Sequence, residues 1–427
     1  MNFRVIIFLI PLLGYSQNLN VSDITHKGNT FTKDYIIERE IQHNVGAPLD
    51  STIAEADKNR LINLGIFADV EWKAVPLEDR SVILEYRIIE NDDFFGGRFI
   101  GLGAPVYDEK TGWSFTGGGF LKNFRGRNEQ IGFGFSTGGF NTVAFAYSNP
   151  WISGDHISFG SDIVKNKYDH PFLNYNIEIK SFEMNVGRYF GYQRKTSIGF
   201  ELEEFHFITD TAFSKYQYIA PQGSFAYDTR DLYDNPRKGV LLREMFFSRL
   251  DINGEIERNI TWIQSLSIYK QLNNSKTDKP LILAWGATSQ MNIGIKDQRF
   301  LSAMGSGNTV RGFSYPNRLV FSDTNQKYRF GFNSFYSSVE IRKIVIPRKV
   351  IADRYEFGIT VASFIDYGAT TSDHFTKLLK TEGIGSTGFS FQFQGPWPSI
   401  IRIDYGWGFY RNKLAQRAIH LEIGHKI

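Results

Sequence analysis

The 427-residue chain contains no cysteine. That excludes disulfide scaffolds, thiolate zinc sites and cysteine nucleophiles. It also lacks an excess of charge of one sign: 48 Lys and Arg stand against 45 Asp and Glu, a formal balance of +3. A dedicated nucleic-acid binder would carry a strong basic excess on one domain, so no nucleic-acid partner is expected. Long hydrophobic runs are missing too. The longest covers residues 5–13, and a membrane-spanning helix needs about 20 residues; helical membrane proteins are excluded. No G-x-S-x-G, H-E-x-x-H or P-loop string occurs, and each of those enzyme classes needs one. The 8 histidines are dispersed. His420 and Glu422 share a strand face, a pair that is more often hydrogen-bonded than metal-binding. We therefore expect no enzyme activity, no catalytic residue, no metal and no cofactor.

Glycine and aromatics are abundant instead, with 40 Gly, 38 Phe, 21 Tyr and 7 Trp. The short apolar run has its own explanation. Arg4 precedes it, and Gly14-Tyr15-Ser16 places small residues where a signal peptidase reads. Residues 1–16 are expected to be a signal peptide cleaved between Ser16 and Gln17, so that the mature chain is exported.

Residues 17–92 form a small mixed unit. Val21 and Ile24 precede a Gly28-Asn29 turn, after which Thr30 or Thr32 opens a helix carrying Ile37 and Ile41. Thr52 and Glu55 have the spacing of a capping box. Ala54, Leu61 and Leu64 follow at helical spacing, and Gly65 suits the left-handed position that ends a helix. Two extended segments, 67–74 and 81–90, complete a β-α-α-β-β order. Asn91-Asp92-Asp93 follows as a polar linker.

From residue 93 to 427 a period of two takes over. Phe389, Phe391 and Phe393 alternate with Ser390, Gln392 and Gln394. Ile401, Ile403, Tyr405 and Trp407 alternate with Arg402, Asp404, Gly406 and Gly408. A soluble sandwich and a membrane barrel both have one apolar and one polar face. Three features favour the barrel. Many segments have the nine or more residues that a tilted membrane strand needs. Aromatics gather near strand ends, as interfacial girdles require. Roughly 330 residues at roughly 20 per strand give about 16 strands, an even number in the usual range. The expected fold is an all-β transmembrane barrel of about 16 antiparallel strands preceded by one small α+β domain. Glu340, Arg342, Arg402, Asp404 and Glu422 fall on the lumen parity, where charges can face water or each other.

The order of these parts resembles the BamA/TamA/FhaC superfamily of POTRA-plus-barrel outer-membrane proteins. The first unit is similar to a POTRA module through Gly28-Asn29, Leu61-x-x-Leu64-Gly65-x-Phe67 and a last strand ending in Glu90. Val310-Arg311-Gly312-Phe313 matches the V-R-G-F/Y signature of a long extracellular loop that folds back into the lumen. Phe364-Ile365-Asp366-Tyr367-Gly368 matches the F-x-D-x-G strand motif. Tyr227–Asp231 with Pro236 and Gly239, Asn123-Phe124 with Gly126, and Arg402–Gly406 look like further family segments. Each string alone is weak; their order along the whole mature chain makes the set specific.

Within 357–368, Asp366 falls on the polar parity with Gly358, Thr360 and Ala362, and so points into the lumen. Arg311 lies in a Gly-rich irregular stretch that reads as loop. A loop arginine reaching a wall carboxylate could form a bidentate, charge-assisted pair; in the family this contact anchors the loop, and the resemblance carries it to Arg311 and Asp366, with Gly368 beside them. The resemblance further implies a bacterial outer-membrane location with the first domain in the periplasm. It implies an assembly or insertion factor acting by strand augmentation at a lateral seam. Expected seam strands are 95–104, weakened by Gly97, Gly101 and Gly103, and 418–427, with Leu421 and Ile423. The partners so implied are unfolded outer-membrane or secreted clients, outer-membrane lipid, and other assembly-complex subunits through the POTRA-like domain. A translocation pore for a specific secreted partner, or a passive porin-like barrel, are the alternatives.

Overall fold

The computed structural model describes residues 19–90, 99–154, 156–209, 213–254, 258–273, 277–296, 300–351, 355–395 and 400–427. Ser16, Gln17, the linker 91–93 and Gly97 lie outside them. The N-terminal domain runs β1 (Val21–Lys27), α1 (Asp34–Glu38), α2 (Ser51–Asn63), β2 (Phe67–Pro76) and β3 (Val82–Glu90). Its three-stranded sheet has the order β1-β3-β2. The first pair is parallel and the second antiparallel. Ile36, Ile37, Ala54, Leu61, Phe67, Val70, Leu84 and Tyr86 fill one apolar core between helices and sheet. Asp57 is buried on α2 and accepts from the Gln42 and His43 N–H groups and from the Tyr86 hydroxyl (3.0, 3.1 and 2.9 Å). One carboxylate thus ties helix, loop and sheet together.

Two details differ from the sequence expectation. Asp50, not Thr52, caps α2: its carboxylate accepts from the Thr52 and Ile53 N–H groups. A carboxylate two residues earlier is the better acceptor for those free donors; Thr52 sits inside the helix, and Glu55 accepts from Lys58 and Trp72. Thr30 and Thr32 do not open α1. Their hydroxyls donate to the Glu90 carboxylate at 2.7 and 2.5 Å, so they fasten this stretch to the end of β3, and α1 stops before Ile41.

The remainder is one 16-stranded antiparallel sheet in chain order, from Phe99–Asp108 to Lys413–Ile423. Parity decides which side faces what. Along Ile384–Gln394, Ser386, Ser390 and Gln392 are buried, whereas Phe389 and Phe391 are about half exposed on the outer face. The same outer band includes Phe133, Phe135, Phe145, Ile198, Ile365 and Ile419. A contiguous apolar band of this extent needs lipid as its solvent. The charged residues of the other parity are enclosed.

The N-terminal domain sits on the turns at one end of the barrel. Lys33 N–H donates to Gly126 O, Asn123 Nδ2 to Thr32 Oγ1, and Tyr192 OH to Arg39 O (3.0, 2.8 and 2.5 Å). Asn63 bonds Asp231 O and Tyr233 N–H, and Arg348 reaches Ala68 O (3.2, 2.9 and 3.2 Å). The guanidinium of Arg39 lies 4.5 Å over the ring of Trp151.

Candidate functional site: a loop clamped inside the barrel

The connection between the strands Leu281–Gly294 and Asn333–Ile351 is long and enters the barrel from the end opposite the domain. It carries a two-residue pairing, Ser302–Ala303 with Phe330–Gly331, and a short helix Arg318–Ser322 capped by Asn317. Val310, Arg311, Gly312 and Phe313 form its inner tip, and Val310, Arg311 and Phe313 are buried.

Arg311 makes the central contact. Its Nε and Nη2 donate to the two oxygens of Asp366 at 2.9 and 2.8 Å, and its own N–H adds a third bond at 3.0 Å. Nη1 donates to Glu340 at 2.6 Å and Nη2 to Ser338 Oγ at 2.9 Å. The ring of Phe364 lies 3.5 Å beneath the guanidinium. Ser338 and Asp366 are register partners on adjacent strands, so the period of two brings them together automatically. Arginine suits this seat because its planar fork matches a carboxylate at two points.

Glycines shape the seat. Gly312 has φ +84°, and its N–H donates to His420 Nε2 at 2.9 Å. Its backbone lies so close to Gly406 and Gly408 that a Cβ on Gly406 would stand 2.7 Å from Gly312 N. A Cβ on Gly368 would likewise meet Val310 and the sulfur of Met304, both at 2.7 Å. The wall glycines of the two D-x-G motifs are thus places where the loop presses on the sheet, with its backbone at Gly406 and with side chains at Gly368.

A second layer surrounds this contact. Arg342 Nε donates to Glu340 at 2.7 Å, and Arg402 Nε stands 2.8 Å from Asp404. Arg402 Nη2 reaches Gly307 O, and Asn308 reaches Glu422 (2.8 and 2.9 Å). Lys426 donates to Asp366 at 2.5 Å. Arg311, Arg342, Arg402 and Lys426 thus face Glu340, Asp366, Asp404 and Glu422, four cations against four carboxylates. Such charges survive without water only when paired and hydrogen-bonded. Sequence reasoning did not find Ser338, the His420 bond to the loop, or Arg329, which donates to Met304 O and Ser314 O and braces the loop (2.9 and 2.5 Å). Parity with Glu340 would have found Ser338; nothing in the sequence marks Arg329.

Across the barrel, a cavity of about 460 Å³ opens where the domain meets the wall. Lys195, Tyr189, Tyr192, Tyr233, Arg60 and Glu40 line it. Burial pushes the Glu40 carboxyl up to about 7, although Arg39 and Arg60 pull the other way.

The first and last barrel strands are the two edges of the sheet, and among the described residues no ladder joins them. Residues 95–98 of the expected first strand lie outside the described residues; its described part runs Phe99–Asp108, past the expected end at 104, with Gly101 and Gly103 paired to Gly119 and Gly117. The last spans Lys413–Ile423 rather than 418–427, because Gly424 takes φ +98° and turns the chain off the wall. Leu421 and Ile423 are exposed on its outer face. Glu109, just past the first strand, touches His420, which sets the end of that strand level with the middle of the last.

Comparison with known proteins agrees with this architecture. The Omp85 superfamily domain matches residues 123–427, and the POTRA family described as surface antigen variable number repeat matches 19–91. The chain belongs to the Omp85 superfamily: it is an outer-membrane β-barrel with a POTRA domain. The outer membrane protein assembly factor BamA of Neisseria meningitidis serogroup B is 23% identical over 154 residues. That stretch is 36% of this chain and 19% of the Neisseria protein. Among solved structures, BamA from Haemophilus ducreyi lacking POTRA domains 1–3 aligns with a TM-score of 0.54 at 16% identity, covering 94% of this chain and 83% of the other. CdiB from Acinetobacter baumannii aligns with a TM-score of 0.55 at 13% identity, covering 95% and 74%. At such identities the two structures attest the shared fold alone.

Proposed function

We infer that the protein helps other polypeptides fold into or cross the outer membrane, with its POTRA domain in the periplasm and without enzymatic chemistry of its own. The observation that carries this reading is the pair of unjoined edges, Phe99–Asp108 and Lys413–Ile423. Lipid offers no partner for a bare strand edge, so a barrel that leaves one is suited to receive an incoming strand by main-chain hydrogen bonding, which tolerates many sequences. The clamped loop fits the same reading. It occupies the bore against the strands from Asn333–Ile351 to Lys413–Ile423, which favours the seam over the bore as the route for a client. A passive porin has no use for such a plug.

Selective insertion of barrel proteins is the form of this activity that the BamA likeness favours. Depletion of the protein followed by outer-membrane proteomics tests it: many barrel proteins should fall together. Loss of a single secreted protein would instead identify a translocation pore. A disulfide engineered between Tyr107→Cys and Leu421→Cys should stop client insertion; full activity in the locked form would rule out the seam.

A further inference from the structure

We propose that residues 424–427 are an internal latch, joining the last barrel strand to the loop clamp on one side and to the footing of the POTRA domain on the other. The proposal rests on the barrel fold and stands apart from the assembly reading.

The chain leaves the wall at Gly424, whose N–H donates to Ile400 O at 2.6 Å. It then runs into the bore. Lys426 donates to the same oxygen of Asp366 that accepts from Arg311 Nε, and its side chain is 1% exposed. Ile427 lies against Gly286 on the strand Leu281–Gly294, where a Cβ would stand 2.7 Å from its Cγ2. Arg342 Nη2 donates to Ile427 O at 3.4 Å. His425 Nε2 accepts from Asn235 N–H at 3.0 Å.

Asn235 belongs to the turn 229–238, which folds inward far enough for its Nδ2 to reach Thr360 Oγ1 at 2.9 Å. That same turn holds the POTRA domain through Asp231, Tyr233 and Asn63. A contiguous path therefore runs from Arg311 through Asp366, Lys426, His425 and Asn235 to Asn63. A buried ammonium without its carboxylate is strongly disfavoured. The last strand cannot swing outward at the seam without drawing Lys426 off Asp366 and His425 off the turn. Seam position, loop clamp and domain footing are thus coupled through four residues. A path of contacts supports coupling only when both ends respond together, and that response is measurable.

The natural chain lacks cysteine, so engineered pairs label cleanly. One pair, Tyr107→Cys with Leu421→Cys, reports the seam. A second, Glu78→Cys with Arg194→Cys, reports the domain against the barrel. Spin-label distances are measured on the full chain in detergent without any client. Replacing His425 and Lys426 together by Ala should lengthen and broaden the distance distribution of both pairs, and Lys426→Arg should leave it as in the unsubstituted chain. A folded double variant with both distances unchanged overturns the proposal; so does a widened seam over an unmoved domain. Should the double variant fail to fold, His425→Phe keeps the ring volume but removes the acceptor. It should widen the domain distance, and an unchanged distance there again overturns the latch.

Discussion

The two halves of the barrel wall use their inward faces differently. On the strands from Asn333–Ile351 to Lys413–Ile423, Glu340, Arg342, Asp366, Arg402, Asp404 and His420 are fully enclosed against the loop. On the opposite half the inward side borders a cavity and carries Ser148, Ser158, Gly160, Asp162 and Asn185. Both faces are polar, and hydropathy does not separate them. The difference lies in what each face borders: the first lies against the clamped loop, the second against open space. One face is built for a single partner in one geometry; the other is built to be wet.

Arg311→Ala should break this contrast most severely. It strips Asp366 and Glu340 of their shared cation, a loss of roughly 3–5 kcal/mol for a buried pair. Thermal unfolding and heat-modified gel migration of the purified barrel would register it, and Arg311→Lys should not restore stability because an ammonium lacks the two-point fork.

The next effect belongs to the cavity side and depends on pH. The folded state raises Glu40 from an ordinary 4.5 to about 7, so it favours the protonated form. Its contribution is fully present below about 4.5 and is lost as pH rises through 7, on the order of 3 kcal/mol. Thermal unfolding of the docked domain should therefore be easier at alkaline pH than at pH 5, and Glu40→Gln should flatten the profile.

A pair of glycine substitutions sharpens the comparison. Gly406→Val drives side-chain atoms into Gly312, and overpacking of this kind costs about 1–3 kcal/mol. Gly134→Ala on the opposite wall meets nothing nearer than Gly117 O at 3.9 Å, and its effect should lie within about 0.5 kcal/mol. Equal losses at the two sites would show that the walls are not packed differently.

Much of this was legible in the sequence. The β-α-α-β-β order follows from helical spacing giving way to alternation, and the inward parity of Asp366 follows from counting by two. The meeting of Arg311 with Asp366 was accessible only through the family motifs, since a sequence separation of 55 leaves no local signal. Strand limits were poorly marked because a period of two carries no stop signal: the first edge strand runs on past 104 to Asp108, and the last starts at Lys413 and ends at Ile423. The inward course of 424–427 was hidden by the apolar Ile427, which continues the outward parity of Ile423 yet packs on Gly286. Helix starts were misplaced wherever a stronger acceptor, Asp50 or Glu90, stood near a threonine.

The domain's anchorage is lopsided. Its bonds to Asn123, Gly126, Tyr192, Asp231, Tyr233 and Arg348 lie along an arc from the second strand round to the end of Asn333–Ile351. Among the described residues the footing thus occupies one arc of the wall, and the unjoined edges Phe99–Asp108 and Lys413–Ile423 lie outside that arc.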